Sequence, residues 1–288
     1  MALIFSSCER EYDISKVEDQ HVLVIHAFID GDSTFLFYNG ISYFPFNPFD
    51  INDSIDAPSI LLTNANGVNI TLNNSAYENS FYPEIPFVGK SSYYLNVKYP
   101  DYNTVNANTK TCGSFEIDNF HSYMTTNIDN YDVLNIKLDV SPEVDKYILV
   151  RHITEKKLLS LSSDTISVRD TAWIYPKSEN AIQLLPSNSI NEALIYNIIP
   201  GEINEIEFES YDGFVKENNI LEGYSEFEFI LCNNDYYKYM KSLIQYKWNY
   251  SGNTSSSIIT TAGVYSNIVD GLGIFAAYRK KIIKFQYK

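Results

Sequence analysis

The stretch Leu134-Asn135-Ile136-Lys137-Leu138-Asp139-Val140 alternates apolar and polar residues without a break. Side chains of an extended chain point to opposite faces in turn, so this period of two describes a strand with one buried and one solvated side. The same pattern extends outward. Upstream, Tyr93, Leu95, Val97 and Tyr99 alternate with Tyr94, Asn96 and Lys98, and Val68, Ile70 and Leu72 alternate with Asn69, Thr71 and Asn73. Val22 to Ile29 is an apolar run broken only by His26, as in a buried strand, and it passes through the turn signal Asp30-Gly31 into Phe35-Leu36-Phe37-Tyr38. Downstream, Tyr147 to Val150, Ile203 to Phe208 and Phe227 to Leu231 predict further strands, with Glu205, Glu207 and Glu209 on a solvated face, and Ile282 to Tyr287 predicts a last one.

The composition agrees with a sheet protein. The 288 residues include 24 Tyr and 17 Phe but only 12 Gly and 10 Pro, and aromatic side chains pack well on pleated faces. The length exceeds the usual single domain, and Phe120 to Asn130 is polar and aperiodic, as at a boundary. The expected fold is mainly β, with a tether over residues 1–20 and two antiparallel β-sandwich-like domains over 21–118 and 119–288. One amphipathic helix is expected at 235–248, where Tyr236, Tyr239, Met240, Leu243 and Ile244 recur at helical spacing. Asn233, Asn234 and Asp235 are its N-cap candidates, and Gly252 follows its end.

Charge narrows the function. The 36 Asp and Glu outnumber the 21 Lys and Arg, giving −15, and no basic stripe is present to neutralise phosphates, so nucleic-acid binding is not expected. No apolar stretch approaches the roughly 20 residues a membrane-spanning helix needs. The four histidines, His21, His26, His121 and His152, show no metal-ligand spacing, and there is no G-x-S-x-G elbow. No catalytic residue, metal or cofactor is therefore expected. Asp50, Asn52, Ser54 and Asp56 alternate as a calcium loop would, but Ile55 replaces the turn glycine and Leu61 the bidentate Glu, so a solvated acidic loop is the better reading. Asp129 and Asp132 make a weaker case. Cys232 closes an apolar run and reads as a buried thiol.

Two segments carry an interaction signal. Met1-Ala2-Leu3-Ile4-Phe5-Ser6-Ser7-Cys8 runs from apolar to small to Cys, like the tail of a lipoprotein signal peptide, and the acidic Glu9-Arg10-Glu11-Tyr12-Asp13 follows. A basic n-region is missing and the apolar core is short, so a frayed terminus with a stray Cys is the competing reading. Phe44, Phe46 and Phe49 stand in a Pro-rich loop, either folded back as a plug or exposed as anchors for a partner.

The stretch Gly263-Val264-Tyr265-Ser266-Asn267-Ile268-Val269-Asp270-Gly271-Leu272-Gly273-Ile274-Phe275-Ala276-Ala277-Tyr278 resembles the C-terminal signature of the domain-of-unknown-function family numbered 4249, close to N-V-Y-S-N-I-x-G-G-L-G-I-F-G-A-Y. It departs from that pattern at Gly263, Asp270 and Ala276. Ser6-Ser7-Cys8-Glu9, Val22 to Asp30 and Tyr236-Tyr237-Lys238-Tyr239 resemble further family segments. The resemblance implies a Bacteroidota outer-membrane lipoprotein, acylated at Cys8 and facing the cell exterior, often encoded beside a TonB-dependent receptor. It implies no catalytic residues. The function expected from it is that of a non-enzymatic accessory binding or docking subunit of such a receptor, with the ligand left open. An independent adhesin or surface-layer component is the alternative, and a surface hydrolase a third. Within the signature, Tyr265, Ser266, Asn267, Gly271, Gly273 and Phe275 are expected to pack rather than bind, sealing the second domain's core against the Tyr-rich helix.

Overall fold

The computed structural model describes residues 21–43, 58–77, 79–100, 102–126, 132–159, 165–185, 192–211, 220–250 and 264–286. In chain order these form β1 (His21–Asp30), β2 (Thr34–Tyr43), β3 (Ser59–Asn64), β4 (Asn69–Ile70), β5 (Leu72–Asn74), β6 (Ser80–Pro83), β7 (Ser92–Lys98), β8 (Val105–Lys110) and β9 (Phe115–Thr126). There follow β10 (Asp132–Pro142), β11 (Tyr147–Leu159), β12 (Thr165–Thr171), β13 (Trp173–Pro176), β14 (Ala181–Ile182), β15 (Leu194–Asn197), β16 (Asn204–Tyr211), β17 (Ile220–Cys232), the helix α1 (Asn234–Tyr250) and β18 (Leu272–Gln286). The protein is mainly β, as expected.

The strands make three sheets. A ten-stranded sheet runs β14-β15-β11-β17-β18-β1-β2-β6-β5, with β12 added on β11, and two four-stranded sheets run β13-β16-β10-β9 and β4-β3-β7-β8. The hairpin predicted at Asp30-Gly31 forms, with Asp30 opposite Thr34 and His21 opposite Tyr43. Both small sheets pack on one face of the large sheet. Leu62, Tyr93, Leu95, Val97 and Val105 of one meet Leu23, Ile25, Ala27, Phe35 and Phe275. Leu134, Ile136, Leu138, Val140 and Phe208 of the other meet Ile148, Val150, Phe227, Phe229 and Leu231. Alternate residues of the same strands, Leu149, Ile230, Ile274 and Ala276, lie on the opposite face beneath α1. Burial of these apolar side chains from both sides is the main force holding the layers together.

The helix sits as its spacing predicts. Tyr236 and Tyr239 are buried, and Met240, Leu243 and Ile244 pack half-buried around them. Asn233 is the N-cap: its Oδ1 accepts the Tyr236 N–H at 2.9 Å. Its Nδ2 donates to Thr109 Oγ1 at 2.7 Å and Lys110 O at 2.9 Å, which fastens the start of the helix to β8. Among the described residues, no helix is long and apolar enough to cross a membrane. His26, expected in the core, is half-buried with its ring edge-on to Tyr239 at 5.7 Å, and burial lowers its pKa.

Three local expectations differ from what forms. Of Phe120 to Asn130, read as a boundary, the described residues Phe120 to Thr126 lie in β9, an edge strand with exposed Tyr123 and Met124 and a bulge between its pairings with Lys137 and Asp139. Exposure and the bulge together erase the period of two there. The large sheet takes β1, β2, β5 and β6 from one side of that stretch and β11, β12, β14, β15, β17 and β18 from the other, so main-chain hydrogen bonds cross the expected division. The run from Val68 to Asn73 is two strands, because the chain changes sheets at Thr71: β4 pairs with β3, and β5 pairs with β6. The end of the signature and the last predicted strand are one continuous β18.

The connection across the division is the pairing of β1 with β18, which is parallel and sets Ile25 opposite Gly273. Gly273 has φ +112, and a Cβ there would lie 1.9 Å from the Ile25 carbonyl oxygen. A Cβ on Gly271 would lie 2.9 Å from Val105 Cγ1 and 3.0 Å from Leu23 O. The strands approach this closely only because both positions lack a side chain. Gly273→Ala is expected to cost ~3 kcal/mol or more, at the upper end of local backbone strain. Gly201→Ala, at φ +79 with nothing within 4 Å, should cost only ~1 kcal/mol. Urea denaturation of the two variants compares them; equal losses would mean that the contact with Ile25 is not the constraint.

Candidate functional site

The signature grips β8. Val269 and Asn106 exchange main-chain hydrogen bonds, Val269 N to Asn106 O at 2.8 Å and Asn106 N to Val269 O at 3.2 Å. Asn267 uses its whole side-chain amide. Its Oδ1 accepts the Phe275 N–H at 2.8 Å, while its Nδ2 donates to Phe275 O at 2.8 Å and to Asn108 O at 3.4 Å. One side chain thus stands where a neighbouring strand would be. Ser266 Oγ accepts the Ile268 N–H at 3.3 Å, a local turn bond. Tyr265 ties the segment to the helix: its N–H donates to Ser242 Oγ and its hydroxyl to Asp235 Oδ1, each at 2.8 Å. Partial burial and that carboxylate push the Tyr265 hydroxyl pKa up to about 12.

The contacts of the signature divide between two cores. Ile274 and Ala276 lie beneath α1. Ile268 and Phe275 instead enter the core under the β4-β3-β7-β8 sheet, where Phe275 meets Phe35 edge-on at 6.4 Å. The parallel pairing with β1 explains this, since it places the alternate residues of β18 against the core that β1 and β2 share. Leu272 is exposed.

The sheet held in this way has an open outer face. In β7, Tyr93, Leu95 and Val97 point inward while Tyr94 and Lys98 are exposed; in β8, Val105, Ala107 and Thr109 are buried while Asn106, Asn108 and Lys110 are exposed. The register sets Asn69, Thr63, Tyr94 and Asn108 in one row across the four strands and Leu61, Asn96 and Asn106 in the next. Asn96 Nδ2 donates to Asn106 Oδ1 at 2.7 Å, which orients both amides. No Asp or Glu occurs in β3, β4, β7 or β8, in a chain with 36 of them. The alternation Val105-Asn106-Ala107-Asn108-Thr109-Lys110 is the sequence signal that finds β8; its place beside β7 is not written in it.

A protein-family model described as Domain of unknown function (DUF4249) matches residues 9–283. The chain belongs to the DUF4249 family. No curated protein matches it. Asp270, at a position where the DUF4249 signature resembled above has glycine, adopts φ +61. Left-handed backbone favours glycine and is tolerated by Asp, so the departure preserves the turn. Ala276, at another such position, is fully buried beneath the helix.

His152, Cys112 and Cys232 of this DUF4249 protein are engaged in packing. His152 is fully buried between two sheets, its Nδ1 2.5 Å from Ser210 Oγ and its Nε2 3.0 Å from Ser225 Oγ, with the Phe227 ring stacked at 4.1 Å. A Ser–His pair closed off from any opening ties layers together. Cys112 lies in the core under the β13-β16-β10-β9 sheet and Cys232 on the helix side of β17, so the two free thiols are on opposite faces, and burial raises both pKa values. Among the described residues, no group of three His, Cys, Asp or Glu could hold a metal ion. Cys8, Phe44, Phe46, Phe49, Asp50, Asn52, Ser54, Asp56 and Asp129 lie outside the described residues.

Beyond the helix, the same face of the large sheet carries ion pairs. Arg151 and Lys280 meet the buried Glu228 at 2.9 and 3.3 Å, and Arg169 and Lys284 meet Glu226 at 3.3 and 2.5 Å around an open groove of about 310 Å³. The paired charges largely cancel, which leaves this groove without a dominant sign. Asp30, at the end of β1 opposite Tyr278, is half-buried and accepts a hydrogen bond from that tyrosine; burial raises its carboxyl pKa.

Two measurements check these contacts. Asn267→Ala leaves the Phe275 amide without its partner, and is expected to lower stability by ~1–3 kcal/mol in denaturant titration. A loss no larger than that of Asn108→Ala would show that the amide bridge carries nothing. For Asp30, the folded protein holds the proton more tightly than the unfolded chain. Its favourable contribution is complete below the ordinary carboxylate pKa of ~3.9 and is lost as pH rises through the raised folded value. Asp30→Asn should therefore gain on the parent protein as pH climbs from ~3 to 7, and thermal melts across that range would reveal a flat or falling difference if burial were not the cause.

Proposed function

We propose that this DUF4249 protein is a non-enzymatic outer-membrane lipoprotein, anchored through Cys8 and facing the cell exterior, that serves a TonB-dependent receptor as an accessory binding or docking subunit in nutrient uptake. The observation that carries this reading is the contrast between interior and surface. His152 and the thiols of Cys112 and Cys232 are closed into packing, while a rigid hydrogen-bonding sheet face lies open. Such a distribution serves recognition better than bond-making, which needs reactive groups converging on an accessible cavity. The register of β1 and β2 adds support. His21, where the tether ends, is opposite Tyr43, from which the chain continues toward Phe44, Phe46 and Phe49. The start of β1 and the end of β2 therefore lie side by side.

Fractionation tests the anchor. Cys8→Ser is expected to move the protein from membranes into the soluble fraction, and retention of that variant in membranes would refute acylation there. Affinity purification of the tagged chain from solubilised outer membranes tests the partner by mass spectrometry. A TonB-dependent receptor should co-purify in near-equal amount; recovery of the chain alone would favour an independent adhesin.

A further inference from the structure

We infer that the outer face of the β4-β3-β7-β8 sheet binds a neutral, polyhydroxylated ligand, an oligosaccharide chain lying across the rows of Asn69, Thr63, Tyr94 and Asn108 and of Asn96 and Asn106. The inference rests on the reading of the protein as a surface binding subunit and names the ligand class of its open face.

Charge comes first. The two small sheets occupy equivalent places on the large sheet, yet their outer faces differ in chemistry. The β13-β16-β10-β9 sheet shows Glu205, Glu207, Glu209 and Asp139 with Lys137 and Lys177 paired among them, as a chain of charge −15 leads one to expect. The β4-β3-β7-β8 sheet shows no carboxylate, and its two cations sit at opposite ends, Lys98 opposite Ser59 and Lys110 opposite Ser92. A cationic ligand finds no counter-charge there. An anionic one finds a cation only at the margins, and between them lie uncharged amides and hydroxyls with the exposed Leu61.

Hydrogen-bonding capacity comes next. Each Asn amide presents a donor and an acceptor in one plane, and each hydroxyl of a sugar ring is itself donor and acceptor, so neighbouring hydroxyls pair with one amide at both ends. Asn69, Asn106 and Asn108 are exposed, and Thr63 and Asn96 half-exposed. Neighbouring strands stand ~4.8 Å apart and alternate residues along a strand ~6.6 Å apart, a grid comparable with the size of a pyranose ring. In the middle of it Tyr94 is 51% exposed, a single ring whose electron-rich face suits the C–H edge of a sugar. A protein partner would want more apolar anchorage than Tyr94 and Leu61 provide, since protein interfaces centre on clustered aromatic and Arg side chains.

The grid is also held in place before any ligand arrives. The Asn96–Asn106 bond orients two amides, Val269 fixes the main chain of Asn106, and Asn267 reaches the carbonyl of Asn108. Groups immobilised by the fold lose little freedom on binding, which favours affinity from individually weak contacts.

Native gel electrophoresis of the full chain through gels containing dextran, xylan, laminarin or polygalacturonate tests the inference. At least one of the three neutral polysaccharides is expected to retard the parent protein. Tyr94→Ala and the pair Asn96→Ala with Asn108→Ala should weaken that retardation about tenfold, the scale of one lost contact, while Glu207→Gln on the other small sheet leaves it unchanged. Matching urea melts for parent and variants show that the fold is intact. Retardation by none of the neutral polymers, by polygalacturonate alone, or to the same extent in Tyr94→Ala would overturn the inference. Receptor co-purification is read separately. Its failure with sugar retardation intact would remove the docking role and leave the ligand class standing; the reverse result would do the opposite.

Discussion

The close approach of β18 to β1 is the constraint on which the remaining architecture depends. The two strands pair in parallel from Val24 opposite Leu272 to Asp30 opposite Tyr278, and the Gly31 N–H closes the seam on Tyr278 O at 2.9 Å. Through this seam β17 and β11 join β1 and β2 in one sheet, so the cores under both small sheets and the surface beneath the helix share a single set of strands. A side chain at Gly273 would occupy the space of the Ile25 carbonyl. Parallel pairing across so long a separation in sequence closes only after both strands exist, and its loop-closure entropy must be recovered by burial on both faces.

Asparagine side chains then hold together what sheet hydrogen bonds do not reach. Asn233 caps the helix and ties it to β8, and Asn267 substitutes for a strand beside Phe275. Asn204 bonds the loop before β16, accepting the Ile199 N–H at 2.7 Å and donating to Ile199 O at 2.9 Å and Glu202 O at 3.0 Å. An amide serves here because it satisfies a donor and an acceptor at once without bringing a charge into a buried place. His152 with Ser210 and Ser225 does the same between the large sheet and the second small sheet. The polar chemistry of these buried groups is thus devoted to cohesion.

At the surface the division of labour is by charge. Carboxylates crowd the outer face of one small sheet and are absent from the strands of the other, although both alternate with an apolar interior. Solvation alone would accept either composition. The uncharged face is gripped along β8 by the segment that carries the DUF4249 signature, through the main-chain bonds of Val269 with Asn106.

Much of the secondary structure was legible in the amino-acid order, because period-two burial and helical spacing are local properties: Leu134 to Val140, the Asp30-Gly31 hairpin and the Tyr236 to Ile244 stripe all stand where their patterns put them. The second half of β9, His121 to Thr125, was hidden because exposure on both faces removes the pattern, and the change of sheet at Thr71 because alternation does not say which partner a strand will take. The candidate face was half legible. Tyr94 and Asn96 declared themselves polar-side residues, but Thr63, Asn106 and Asn108 join them only through register, which long-range pairing decides. Gly271 and Gly273 could be read as positions of special backbone; that the Leu23 and Ile25 carbonyls would fill the space of a side chain there was settled by the tertiary fold, since only the folded chain brings β1 against β18.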